Sequence, residues 1–143
     1  MKNRKSFYCL WLCGLLLPVP GSVAAFEIMK GKWQVETEMR NPMSPRPQLK
    51  TSIECITEES FDPAEAMMQD GQCTITDKQD AADSITWTFK CGGNGLPEST
   101  GTGKFVTRGK SANGEMQMKM VFNGQTMTMR NSWKGKYLGD KCD

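Results

Sequence analysis

Five methionines, Met116, Met118, Met120, Met127 and Met129, recur at alternate positions on either side of Asn123-Gly124. Asn-Gly between alternating apolar residues is the strongest short-range signal for a two-residue hairpin turn. That turn sets Met120 opposite Met127 and Met118 opposite Met129, with Met116 on the same face. Thioether sulfur favours soft cations, so these five side chains could hold copper as Cu(I), shielded by Trp133 and Phe122. Methionine is also a flexible core filler, and a period-two stripe is what the buried face of a sheet looks like. The alternate face, with Gln117, Lys119, Thr126, Thr128 and Arg130, suits solvent, so simple packing accounts for the whole pattern. A third reading lies between these two. A Met-lined interior adapts to apolar ligands of varied shape, and small barrels often enclose one. Trp87, Phe89, Met118, Met120, Met127 and Met129 would then line the ligand site, with Gly101 and Gly103 either packing closely or leaving room for it.

Cysteine offers the second chemistry. Cys55, Cys73, Cys91 and Cys142 contain no Cys-x-x-Cys pair, and their spacing matches no zinc-ribbon pattern, so disulfides are the expected use. If 73–79 and 84–91 pair about a turn centred on Ala82, Cys73 faces Cys91, Ile75 faces Phe89 and Asp77 faces Trp87. Facing positions in an antiparallel pair lie ~4.5–5.5 Å apart at Cα, within reach of a disulfide. Cys73–Cys91 leaves Cys55–Cys142 to tie the tail to an early strand.

Catalysis finds little support. The chain has no histidine, which removes the commonest general base and the commonest metal ligand. Ser99, Ser111 and Ser132 therefore lack an activating imidazole, and no Ser-x-x-Lys pair substitutes for one after residue 25. Gly92-Gly93-Asn94-Gly95 resembles a phosphate cradle, but no helix follows to present its N-terminus. Glu58, Glu59, Asp62 and Glu65 are explained by helix capping and the helix dipole, and they lack the spacing of a calcium loop. The expectation is a protein that is not an enzyme and carries no cofactor, copper being the alternative.

The elements that position these residues are mostly strands. Trp33, Val35, Thr37 and Met39 alternate with polar residues, as do Leu49, Thr51, Ile53 and Cys55. Between them, three prolines in Asn41–Pro47 exclude regular pairing. Asp62 can cap a helix with Pro63 at its first position, and Ala64 to Met68 are good helix formers, predicting one short helix near 63–69. Further strands follow over 73–79, 85–91, 98–108, 116–122 and 127–133. About seven strands with short connections indicate a mainly β domain, an antiparallel sheet forming a barrel or a sandwich.

Residues 1–25 read as a signal peptide, with Lys2, Arg4 and Lys5 ahead of the apolar run Phe7–Val19 and small residues Val23-Ala24-Ala25 for cleavage. Cys9 and Cys13 leave with it. Its removal takes away three of the 18 basic residues and none of the 16 acidic ones, so the net charge falls from +2 to −1. Such a chain has no bulk basic surface for nucleic acid. Residues 26–143 then make one exported domain, too modest for a generous core and suited to disulfide support.

Gly31-Lys32-Trp33 opens the first strand, Cys55 ends the second, and a Cys73…Cys91 hairpin follows. The close is Trp133-Lys134-Gly135-Lys136-Tyr137-Leu138-Gly139-Asp140-Lys141-Cys142. Together these features resemble the domain-of-unknown-function family numbered 3617, small exported proteins of Gram-negative bacteria. The resemblance implies an exported, disulfide-bearing domain and supplies no catalytic residues. The function expected is periplasmic, non-catalytic binding of an apolar small molecule, a lipid-like ligand or an envelope protein. Copper binding is one alternative. Inhibition of an envelope enzyme through an exposed loop, 92–98 or 41–47, is the other.

Overall fold

A computed structural model describes residues 26–142 apart from 59–60, 69–70 and 94. The expected signal peptide, with Cys9 and Cys13, lies outside the described residues. Seven strands, β1 (Gly31–Arg40), β2 (Gln48–Ile56), β3 (Cys73–Ala81), β4 (Ser84–Gly93), β5 (Leu96–Arg108), β6 (Ser111–Phe122) and β7 (Gln125–Gly139), accompany one helix, α1 (Pro63–Met67). All seven strands share one antiparallel sheet in the order β2-β1-β7-β6-β5-β4-β3.

The expected closure into a barrel or a sandwich does not occur. The sheet stays open between its edge strands β2 and β3, and the segment joining them crosses over the apolar face with α1 inside it. A single covered face meets the need for burial that a second sheet or a closed barrel would otherwise meet. Asp62 starts the helix: its Oδ1 accepts hydrogen bonds from the backbone N–H of Ala64 (2.8 Å) and Glu65 (3.2 Å). Its Oδ2 pairs with Lys78 of β3, which fixes the crossover to the far edge of the sheet.

Register follows the turns. Asn123 (φ 50°) and Gly124 (φ 75°) both take the left-handed conformation that a type I′ hairpin turn requires. Met118 accordingly faces Met129, and Met120 faces Met127. In the β3–β4 hairpin Cys73 faces Cys91 and Ile75 faces Phe89, as the spacing predicts. The expected Asp77–Trp87 pairing fails: a bulge between Ile75 and Asp77 sets Asp77 opposite Thr88 and Lys78 opposite Trp87. The bulge absorbs one residue because the turn is the two-residue Ala82-Asp83, with Ala81 facing Ser84.

Aromatic rings tile the covered face against glycines on neighbouring strands. A Cβ on Gly103 would collide with the Trp87 ring, and one on Gly101 with the Phe89 ring. Gly114 lies under both Phe105 and Trp133, at 2.8 and 2.9 Å from where its Cβ would be. Gly101 and Gly103 thus serve close packing on the covered face. Phe26 and Ile28 complete the core, and Phe26 meets Phe105 edge-to-face at 5.9 Å. The segment carrying them is held by Glu27 N–H to Ala82 O and by the Thr107 hydroxyl donating to Glu27 O.

Two disulfides brace the sheet. Cys73–Cys91 closes the β3–β4 hairpin, and Cys55–Cys142 joins the end of β2 to the chain beyond β7, across the intervening β1. β2 departs from its amphipathic expectation. Its alternation marks a strand correctly, yet Glu54, Ser52 and Lys50 stand on the covered face, opposite Trp33, Val35 and Thr37. Leu49 and Ile53 point the other way and are 76% and 57% exposed.

Candidate functional site

The sheet and the crossover do not meet everywhere. Between them lies a cleft of about 500 Å³, within the range usual for small-molecule sites. Its floor is apolar: Trp33 and Val35 from β1, Phe105 from β5, Ala112 from β6 and Trp133 from β7. Phe61, Pro63 and Ala66 of the crossover form the opposite wall, and Lys50, Ser52 and Glu54 of β2 form a polar rim.

Trp33 is fixed in the floor by its neighbours. Trp33 Nε1 donates to Met29 O at 2.9 Å, and its ring meets Tyr137 edge-to-face at 5.4 Å. Gly135, opposite Val35 in the β1–β7 ladder, admits the Trp33 ring beside it: a Cβ there would stand 3.2 Å from it. Trp133 is only half-buried, so part of its indole is available to a ligand. The wall is held by the Asp62 cap and its partner Lys78, whose ammonium pKa is raised chiefly by the hydrogen bond it donates to the Asp62 carboxylate, against an opposing effect of burial. These side chains offer an apolar slot with a polar mouth, and they offer no nucleophile–base pair.

The expected ligand residues lie elsewhere. Trp87 and Phe89 are 2% exposed and occupied by packing over glycines. Met118 packs beside them against the core, while Met120, Met127 and Met129 are half-buried along the distal part of the β6–β7 hairpin. None of the six lines the cleft. The five methionines of the copper reading share one face, but Met116, opposite Asn131, and Met118 are packed against the core. Among the described residues, no group of three or more His, Cys, Asp or Glu side chains is placed to hold a metal ion. The 41–47 loop exposes Met43, 77% accessible, whereas 92–98 includes Asn94, outside the described residues.

Sequence reasoning missed Phe61, Ala66 and Phe105 as companions of Trp33 and Trp133. Phe61 carries the one legible signal, a lone aromatic just before a helix cap in an otherwise polar connector. A second hollow, of about 690 Å³, lies on the solvent face of the sheet, where Glu38, Arg40, Lys104, Glu115 and Arg130 mix both charges. That mixture is ordinary for a solvated sheet face.

The comparison with protein families matches residues 28–142 to one described as "Protein of unknown function (DUF3617)". The chain belongs to this family. The family match spans every strand and both cysteine pairs, so the sheet, the crossover and the cleft all lie within it. No curated protein matches the chain, and no solved structure does. No helix among the described residues is long and apolar enough to cross a membrane.

Proposed function

We propose that this family member is an exported, non-catalytic binding protein that takes an apolar or amphiphilic small molecule into the cleft beneath the crossover. The observation that carries this reading is the half-buried Trp133 facing Phe61 and Ala66 across a cleft whose floor is aromatic and whose rim is polar. An alkyl chain fits the floor, and a polar head fits the mouth, where Lys50, Ser52 and Glu54 stand. Paired cysteines support an oxidising compartment such as the periplasm. The test is titration with dodecanoate, followed by calorimetry. The expected result is saturable one-to-one binding that Ala66→Phe abolishes by filling the cleft, with thermal unfolding still cooperative. Absence of saturable binding by the unaltered protein rejects the reading.

A second reading keeps copper. Met118 faces Met129 and Met120 faces Met127, and the three half-buried thioethers of Met120, Met127 and Met129 suit Cu(I). Cu(I) titration with a defined end point that Met120→Leu plus Met127→Leu removes supports it.

A further inference from the structure

The two edges of the open sheet are not alike. β3 is interrupted by the bulge between Ile75 and Asp77, a common way to blunt an edge against pairing. β2 runs in continuous register with β1 from Gln48 to Ile56, without bulge or proline, and its other edge has no strand beside it. Charged residues often guard such edges, and Lys50 and Glu54 would do that. Guarding does not explain Leu49 and Ile53, which the same strand holds out to solvent.

Antiparallel edges can join only where faces match. If β2 pairs with β2 of a second copy so that Ser52 faces the partner's Ser52, both sheets continue with their covered faces on the same side. Lys50 then stands opposite the partner's Glu54, and Glu54 opposite the partner's Lys50. Among the described residues, neither side chain has a hydrogen-bond or ion-pair partner. On the other face Thr51 stands opposite the partner's Ile53 and Leu49 opposite the partner's Cys55, so the exposed apolar side chains gain cover. Opposite charges at facing positions favour this register, and a two-fold axis makes each favourable pair occur twice. Moving the axis to Thr51 would bring Leu49 opposite the partner's Ile53 but would lose both charge pairs.

We propose that β2 is a homodimer edge, joining two copies into one continuous fourteen-stranded sheet (twice the seven strands among the described residues) about an axis at Ser52. Because Lys50 and Glu54 also rim the cleft, dimerisation places the mouths of two clefts next to each other. The dimer does not depend on what the cleft holds.

Sedimentation equilibrium of the ligand-free, disulfide-intact protein tests it by charge exchange. Lys50→Glu alone and Glu54→Lys alone should each weaken the dimer at least tenfold, and the two together should restore it to within about threefold. All these side chains are exposed, so the fold is not at risk. A Ser52→Cys variant provides an independent readout, since facing antiparallel positions are within disulfide reach, and should form a covalent dimer on oxidation. A protein that stays monomeric at millimolar concentration, a dimer indifferent to charge reversal, or a double variant that fails to recover each overturns the proposal.

Discussion

Trp87 and Gly103 face each other across the β4–β5 ladder, and the indole fills the volume that any side chain at Gly103 would need. Phe89 and Gly101 repeat the relationship two residues along. A glycine normally weakens a strand, but here it lets a large ring lie close to the sheet and bury most of its surface. Among the described residues the buried Trp87 Nε1–H has no hydrogen-bond partner, a cost of roughly 1–3 kcal/mol that the packing must exceed.

Gly103→Ala should therefore destabilise, although alanine is intrinsically the better residue in a strand. Overpacking costs about 1–3 kcal/mol, more than the ~0.5–1 kcal/mol gained in propensity. Urea unfolding followed by tryptophan emission should show a lower midpoint with a similar slope. A variant as stable as the parent would contradict the packing.

The two disulfides should contribute unequally. Cys55–Cys142 spans 87 residues and Cys73–Cys91 spans 18. On the chain-entropy model the longer loop is worth roughly 4–5 kcal/mol and the shorter about 3 kcal/mol. Replacing each pair with alanines and comparing unfolding midpoints should rank Cys55–Cys142 as the costlier loss. Non-reducing peptide mapping should recover those two links, and a Cys55–Cys73 peptide would contradict the fold.

The Lys78–Asp62 pair gives the crossover a pH dependence at the alkaline end. The folded pKa of Lys78 is raised above its ordinary value of 10.5, so its stabilisation is complete below that value and is lost as pH rises through the folded pKa. Lys78→Met should cost at most about 1 kcal/mol at pH 8, the pair being partly exposed. The difference from the parent should hold to about pH 10 and shrink above it. A difference that grows with pH would have the wrong sign. Asp62→Ala loses the helix cap as well as the pair, so it should cost about 1 kcal/mol more.

Much of the fold was legible because its signals are local. Alternation marked most of the strands, Asn123-Gly124 set the β6–β7 register, and hairpin spacing paired Cys73 with Cys91. The β3 bulge was hidden, since a turn one residue tighter and a bulge one residue long cancel in the spacing of the cysteines. The burial of β2 was also hidden. At an edge strand with polar residues on the covered side, alternation reveals two faces without saying which one is covered. The cleft depends on bringing 61–66 over β1 and β7, which follows from strand order, and no local pattern encodes that order. Met116, Met118, Met120, Met127 and Met129 lie close together in sequence on one hairpin. Trp33, Phe61 and Trp133 are adjacent only in space.

The most direct test of the cleft is a nitrogen–proton correlation spectrum of the disulfide-intact protein during titration with dodecanoate. The Trp33 and Trp133 indoles line the cleft and the Trp87 indole does not. Occupancy of the cleft predicts saturable shifts of the Trp33 and Trp133 indole signals at one equivalent, with the Trp87 signal unmoved. Shifts confined to Trp87 and the methionine hairpin, or no saturable shift at all, would contradict it.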